Sequence, residues 1–353
     1  MPLYMDIHTV DADTFSVEDV VKAHMEDLSI QSKFGVTQLK YWVNEEAKTL
    51  FSLMEGPDKE ACHQVHKQSH GNTACNIIEV SDNEYNLFMG VGTEVNDLAK
   101  TQSGHLDTGY RTILLANIVP ITGNREHYFS EVRQLIEKFN GVLVLEPGNE
   151  LMVSFIYASE AILCANAIQK LLDSTQDKVE YNLAIGSGRP VDEQGANMFE
   201  ETKKKVQCLC SLGLSKKMYL DEETRILMEK EFRAAKVEHT RFTLVHKDDF
   251  KLALALSKML ARNLTQPDFN STQLTHSLAL SKSQAYRIIK SLTGMAQNKL
   301  IHESRLQRAI NQMTQSKKTI AEIAYESGFN SPTYFSRAFR KRFEISPKDF
   351  GRR

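Results

Sequence analysis

Little in this chain points towards a membrane or an oxidising compartment. No stretch approaches the ~20 consecutive apolar residues that a membrane span needs. The opening MPLYMDIHTVDAD has neither the basic start nor the apolar run of an export signal. Five cysteines (Cys62, Cys75, Cys164, Cys208, Cys210) are scattered without framework spacing, which fits a reducing cytosol. These absences set the expectation of a cytoplasmic protein without a membrane partner. Net charge is also nearly absent, at −2, but that figure hides an asymmetry. Residues 264–353 hold 15 Lys/Arg against 6 Asp/Glu, so a basic C-terminal part balances an acidic remainder. A nucleic-acid reader joined to a module with another task has this charge layout. At 353 residues, 41% hydrophobic and 25% charged, the chain is of ordinary globular composition and long enough for roughly two to four domains.

The basic end carries the clearest pattern. Thr319–Arg353 (TIAEIAYESGFNSPTYFSRAFRKRFEISPKDFGRR) reads as two short helices about a tight turn. Ile320, Ile323 and Ala324 recur at helical spacing, Gly328 suits a left-handed turn, and Asn330, Ser331 and Pro332 open the next helix. In that second helix Phe335, Phe339 and Phe343 fall at i, i+4 and i+8 for burial, while Ser331, Thr333, Tyr334, Arg337, Arg340 and Lys341 line the other sides. Upstream, Ser283–Leu300 repeats the pattern, with Arg287 over Arg337, Lys290 over Arg340, Ile289 over Phe339, Met295 over Ile345 and Leu300 over Phe350. A basic helical bundle with solvated faces is the plainer alternative, but it gives no reason for the core and basic positions to match together. The spacing predicts two helix–turn–helix units joined by an amphipathic helix near Met295–Met313.

These residues resemble the DNA-binding domain of the AraC family of bacterial transcription regulators. The resemblance is carried by IAEIAYESGFNSPTYFSRAFRKRF followed by ISPKDF, and by SLTGMAQNKLIHESRLQRA. The family has Gly where this chain has Glu344, and usually Pro where it has Gln297. The resemblance implies promoter DNA and RNA polymerase as partners. Two recognition helices on a rigid spacer would enter successive major grooves, roughly 34 Å apart. Ser283, Gln284 and Arg287, and then Thr333, Tyr334 and Arg337, are expected at base edges. Lys290, Arg340 and Lys341 are expected on phosphates, and Lys282 and Ser331 flank the two helix starts.

At the other end, residues 1–82 alternate strand and helix patterns in the β-α-β-β-α-β order of a ferredoxin-like fold. Five histidines stand in this segment: His8, His24, His63, His66 and His70. His63, His66 and His70 share one helix face, and imidazoles at i, i+4 suit a nickel, zinc, copper or iron ion. A polar face that merely tolerates histidine is the alternative. MPLYMDIH, KAHMEDL, GVTQLKYWV and VHKQSHG resemble a family of small nickel-binding domains that pair into dimers. That resemblance implies His8, His24, His66 and His70 as ligands, with nickel or another divalent transition metal as cofactor and a homodimer as assembly. His63 lies outside the shared pattern.

The glycine- and asparagine-rich residues 83–109 read as a linker, and 110–246 as a second α/β domain. ILLANIVPIT, FNGVLVLEPGNELMVSF and AILCANAIQKLL resemble a class III nucleotide cyclase. The carboxylates that would hold two metal ions there are replaced by Asn117 and Asn149, and Cys208 stands where a basic residue is usual. An amide cannot anchor a pair of divalent cations against their mutual repulsion, so a non-catalytic domain is expected. The whole reads as an α+β multidomain protein: ferredoxin-like, then cyclase-like, then an all-α double helix–turn–helix over 247–353. The expected function is an AraC-type regulator controlled by a metal or small ligand, and not an enzyme. The alternatives are a cyclase fused to a DNA-binding module, or a metal buffer.

Overall fold

The computed structural model describes residues 1–10, 15–90, 97–101, 103–213, 216–231 and 242–351. Two compact units emerge, residues 1–111 with 187–203, and residues 112–186 with 204–353.

In the first unit the alternating pattern becomes β1 (Leu3–Thr9), α1 (Val17–Ile30), β2 (Thr37–Asn44), β3 (Thr49–Glu55), α2 (Lys59–Ser69) and β4 (Asn76–Val80). Ser16 caps α1 and Asp58 caps α2, each accepting from a backbone N–H in the first turn. The strands pair antiparallel in the order β4-β1-β3-β2, the ferredoxin-like arrangement. The segment expected as a linker contributes structure of its own. It supplies α3 (Asp82–Met89) and a short strand β5 (Asp97–Leu98) that extends the sheet beside β2 in parallel. Arg111 is buried here, donating to both Asp107 carboxylate oxygens at 2.8 Å and to the Phe88 carbonyl at 2.9 Å. A buried guanidinium is tolerable only with this degree of pairing.

The second unit is entered along β6 (Arg111–Pro120), whose first residue belongs to the first unit, and goes on to α4 (Arg125–Lys138). It continues through β7 (Val142–Leu145), β8 (Glu150–Phe155), α5 (Ala158–Ser174), β9 (Val179–Gly188), α6 (Glu200–Cys210), β10 (Lys217–Asp221), α7 (Glu222–Glu231) and β11 (Thr243–Val245). The six strands run β11-β10-β9-β6-β8-β7. Leu114, Ile118, Phe129, Ile136, Phe155, Ile168 and Leu183 are buried together between sheet and helices. Seven helices follow: α8 (Lys247–Asn263), α9 (Ser271–Ser277), α10 (Lys282–Thr293), α11 (Gln297–Gln315), α12 (Ile320–Glu326), α13 (Pro332–Phe343) and α14 (Pro347–Phe350).

These helices form the two helix–turn–helix units, α9–α10 and α12–α13, with α11 as the connecting rod. Capping boxes start three of the four short helices: Asn270 with Gln273, Ser281 with Gln284, and Thr319 with Glu322. Gln297 occupies the first turn of α11, a position that proline also fits, and donates to Thr275 Oγ1 at 3.3 Å. The core of the second helix–turn–helix is not made by helices alone. Val119 and Ile121, from the end of β6 and the residue beyond it, are buried in one cluster with Leu306, Ile323, Phe335, Phe339, Phe343 and Phe350.

Candidate nucleic-acid interface and metal centre

Helix α10 is amphipathic because Ala285, Ile289 and Leu292 recur on one side. Helix α13 does the same with Phe335, Phe339 and Phe343. Burying those faces turns Lys282, Ser283, Gln284, Arg287 and Lys290 outward on α10, and Thr333, Tyr334, Arg337, Arg340 and Lys341 outward on α13. The cations then divide into two kinds. Arg305 donates to the carbonyls of Leu264 and Gln266, Arg308 to that of Glu326, and Arg342 is gripped by Glu180 and Glu303, so these three serve the fold. Among the described residues, Arg287, Arg337, Arg340 and Lys341 have no carboxylate at ion-pair distance and remain available to a polyanion.

Three residues expected at the DNA face have local work as well. The Gln284 side-chain oxygen accepts from the Ser281 N–H at 3.1 Å, leaving its amide N–H groups for a base edge. Ser331 caps α13, its hydroxyl accepting from the Tyr334 N–H at 3.1 Å. Lys290 donates to the Gly294 carbonyl at 2.8 Å, closing the end of its own helix.

In the first unit the sheet and α2 bring a compact set of side chains together. Asp6 and His8 lie two residues apart on β1 and so share a face; His66 and His70 lie one turn apart on α2. Asp6 is fully buried. Its Oδ2 accepts from His66 Nε2 at 2.9 Å and lies 3.2 Å from His8 Nε2, while its Oδ1 accepts from the Ser52 N–H. The other His66 nitrogen, Nδ1, is 2.9 Å from Asp27 Oδ2, and His70 Nε2 is 3.3 Å from Asp27 Oδ1. Ser69 also donates to Asp27. Burial opposes a charge on His66, but hydrogen bonds to Asp27 and Asp6 outweigh it and raise its pKa to about 10. Burial likewise opposes the Asp6 and Asp27 charges, and the surrounding imidazoles hold both carboxyls well below their usual range.

Two overlapping groups therefore have metal-ligand spacing: Asp6, His8 and His66, and Asp27, His66 and His70. Ligand atoms around one ion with bonds of ~2.1 Å sit roughly 3.0–3.5 Å apart, and the 2.9 and 3.2 Å separations about Asp6 Oδ2 are close to that. The donor set of imidazole nitrogen and carboxylate oxygen suits a divalent transition ion. Of the four expected imidazoles, His8, His66 and His70 join these groups. His24 does not. It is buried beside the Tyr41 ring, 4.3 Å between centroids, with Nε2 unpaired among the described residues. Burial lowers its pKa, and the charges of Asp27 and His66 are near enough to be felt. Asp6 and Asp27 were missed as candidates. The signal for Asp6 was its i, i+2 relation to His8; for Asp27, its i, i+3 relation to His24.

Asn117 and Asn149 are both buried, at 1% and 4% exposure.

Two segments match known families. Residues 274–353 match the model described as a helix-turn-helix domain, and residues 4–80 the one described as nickel responsive protein SCO4226-like. The C-terminal part is an AraC-type helix–turn–helix domain and the N-terminal part is a domain of the SCO4226-like kind. Over 132 residues the chain is 30% identical to histidine kinase P4 of Formosa agariphila, covering 37% of this chain and 10% of that protein. Over 87 residues it is 32% identical to the HTH-type transcriptional activator RhaS of Mannheimia succiniciproducens, covering 25% of this chain and 32% of the relative. The chain thus spans a third or less of each of these relatives. A crystal structure of SCO4226 from Streptomyces coelicolor A3(2) aligns with 22% of this chain and 94% of its own, at 29% identity and a TM-score of 0.21.

Proposed function

We propose that this chain is a sequence-specific DNA-binding transcription regulator whose occupancy of promoter DNA responds to a divalent transition metal held in its N-terminal domain. The observation that carries the reading is the pair of outward faces on α10 and α13, where Arg287 on one and Arg337 and Arg340 on the other have no ion-pair partner among the described residues. The domain match over residues 274–353 supports it. Arg287 and Arg337 read base edges, with Ser283, Gln284, Thr333 and Tyr334 beside them, while Lys282, Lys290, Arg340 and Lys341 hold phosphates.

The metal reading is supported by the donor groups around Asp6 and Asp27 and by the nickel-responsive family match. His8, His66 and Asp6 would hold the ion, or His66, His70 and Asp27. Bound there, the metal supplies charge and fixed geometry in place of protons. His66 has to surrender a proton to coordinate, so metal and proton compete at that ring. Nickel is the first candidate. The protein works in the cytoplasm as a homodimer, without enzymatic activity, and acts on transcription through RNA polymerase. A ligand alters DNA occupancy only if it prefers one of two states.

The test is operator binding by the purified full chain with and without nickel, with metal content measured after purification. A change in operator affinity that Asp6→Asn and His8→Ala together abolish is expected; unaltered affinity at saturating metal rejects metal control. In binding-site selection, Arg337→Ala relaxes one or two base pairs and Lys341→Ala weakens all sequences alike. An even loss in both variants rejects the division of roles.

A further inference from the structure

Within the second unit lies a cavity of about 800 Å³ that neither DNA reading nor the histidine cluster uses. That volume falls in the range of small-molecule sites. One wall is the N-terminal end of α4 with Arg125, where backbone N–H groups and the helix dipole favour a negative charge. The residue ahead of β8, Asn149, lines the same cavity. It is 4% exposed, and its Nδ2 has no acceptor among the described residues. A buried amide N–H group without an acceptor costs stability unless something else supplies one. Glu126, itself a wall residue, and Glu146 are both tied to Arg133, at 2.7 and 2.6 Å, and Arg125 lies 3.9 Å from each, so two guanidinium groups balance the two carboxylates.

The remaining walls are of a different character. Val119 and Pro120 come from β6, Met313 and Thr314 from the end of α11, and Phe350 from α14. The pocket therefore joins a polar, donor-rich end to an apolar end, and the apolar end is partly built by the connecting rod and last helix of the DNA-reading module.

We infer that this cavity binds a small organic acid, its carboxylate or phosphate group at the α4 end near Asn149 and its apolar body against Met313 and Phe350. The site goes beyond the metal reading and depends on neither metal nor DNA.

Calorimetric titration of the full chain with benzoate and phenyl phosphate tests it, with benzyl alcohol and inorganic phosphate as the two half-ligands. One or both acids bind saturably at one site per chain, and each half-ligand binds at least about tenfold more weakly. Asn149→Leu weakens the acid about tenfold. Thr314→Trp, which starts from an exposed position on α11 and sets an indole against the apolar end of the cavity, weakens binding at least about tenfold even if the Asn149 variant fails to fold. The inference is overturned if neither acid binds at millimolar concentration, if a half-ligand matches the acids, or if Thr314→Trp leaves affinity unchanged.

Discussion

The two helix–turn–helix units solve one geometric problem with opposite residue choices. Each needs a left-handed residue just after its first helix and another at the end of its recognition helix. In the first unit these are Ala279, at φ 52°, and Gly294, at φ 73°; in the second they are Gly328, at φ 82°, and Glu344, at φ 64°. Glycine stands at one site of each pair, in reverse order. Surroundings explain the choice at Gly328, where an added Cβ would lie 1.8 Å from the Leu264 carbonyl oxygen. At Gly294 an added Cβ would meet the flexible end of the Lys217 side chain, at 3.4 Å. Glycine is thus demanded by space in one unit and merely eases the backbone in the other.

Their interiors differ too. Ala285, Ile289, Leu292 and Met295 are the buried hydrophobic residues of the first unit's recognition helix and the turn after it. The second stacks Phe329, Phe335, Phe339 and Phe343, with successive ring centroids 5.0, 5.7 and 4.7 Å apart. Aromatic side chains bury more area per residue, so the second unit carries the heavier core. It is also tied down by charge: Arg342 on α13 donates to Glu180 on β9 and Glu303 on α11, at 2.8–3.0 Å.

Four experiments test how far this difference goes. The largest effect is expected from Phe339→Ala, which removes the central ring and costs ~3–5 kcal/mol. Amide hydrogen exchange will quicken through α12 and α13 and stay slow in α10; equal quickening in α10 would make the two units one cooperative block. Gly328→Ala is next, at roughly 2 kcal/mol or more from strain and overlap together, against ~1 kcal/mol for Gly294→Ala. Denaturant titration of the pair checks this, and equal losses would remove the steric distinction. Arg342→Met follows, at about 1–3 kcal/mol, because it strands Glu180 and the buried Glu303. Burial already raises the Glu303 pKa against the pull of Arg342. Adding Glu303→Gln should therefore restore part of the lost melting temperature, and no recovery would deny Arg342 its anchoring role. The smallest effects are gains: Ala279→Gly and Glu344→Gly should each stabilise by up to ~1 kcal/mol by relieving left-handed strain. Glu344 forgoes its contact with Lys178 in the exchange, but both side chains are largely exposed and the pair contributes little. A loss of melting temperature in either glycine variant would contradict the strain argument.

What the sequence made legible follows the range of the interactions involved. Helix periodicity located Phe335, Phe339 and Phe343 because all three lie on one short segment and are buried by the same face. The repeat placed Ile289 in the equivalent interior position. Strand and helix order in residues 1–82 was readable for the same reason. The histidine cluster was half visible. Imidazoles on α2 could be aligned by spacing, but Asp6 and Asp27 reach His66 across 60 and 39 residues of chain, and no local pattern encodes that approach. The separation of structural from available arginines was equally hidden. Arg342 and Arg340 stand two residues apart on one helix, and the carboxylates brought by β9 and α11 tell them apart. Helix α7 went unread, since only Thr224 of its ten residues is fully buried and its face is weakly marked.

Val119 and Ile121 sit among the phenylalanines of the second helix–turn–helix. The DNA-reading end is therefore no portable cartridge. Excised at residue 247, it would leave a raw apolar socket where two aliphatic plugs had been. Grafted onto a foreign partner, it would need that socket filled again. Any shift in the central strand of the α/β sheet would be felt directly by the rings beneath α13.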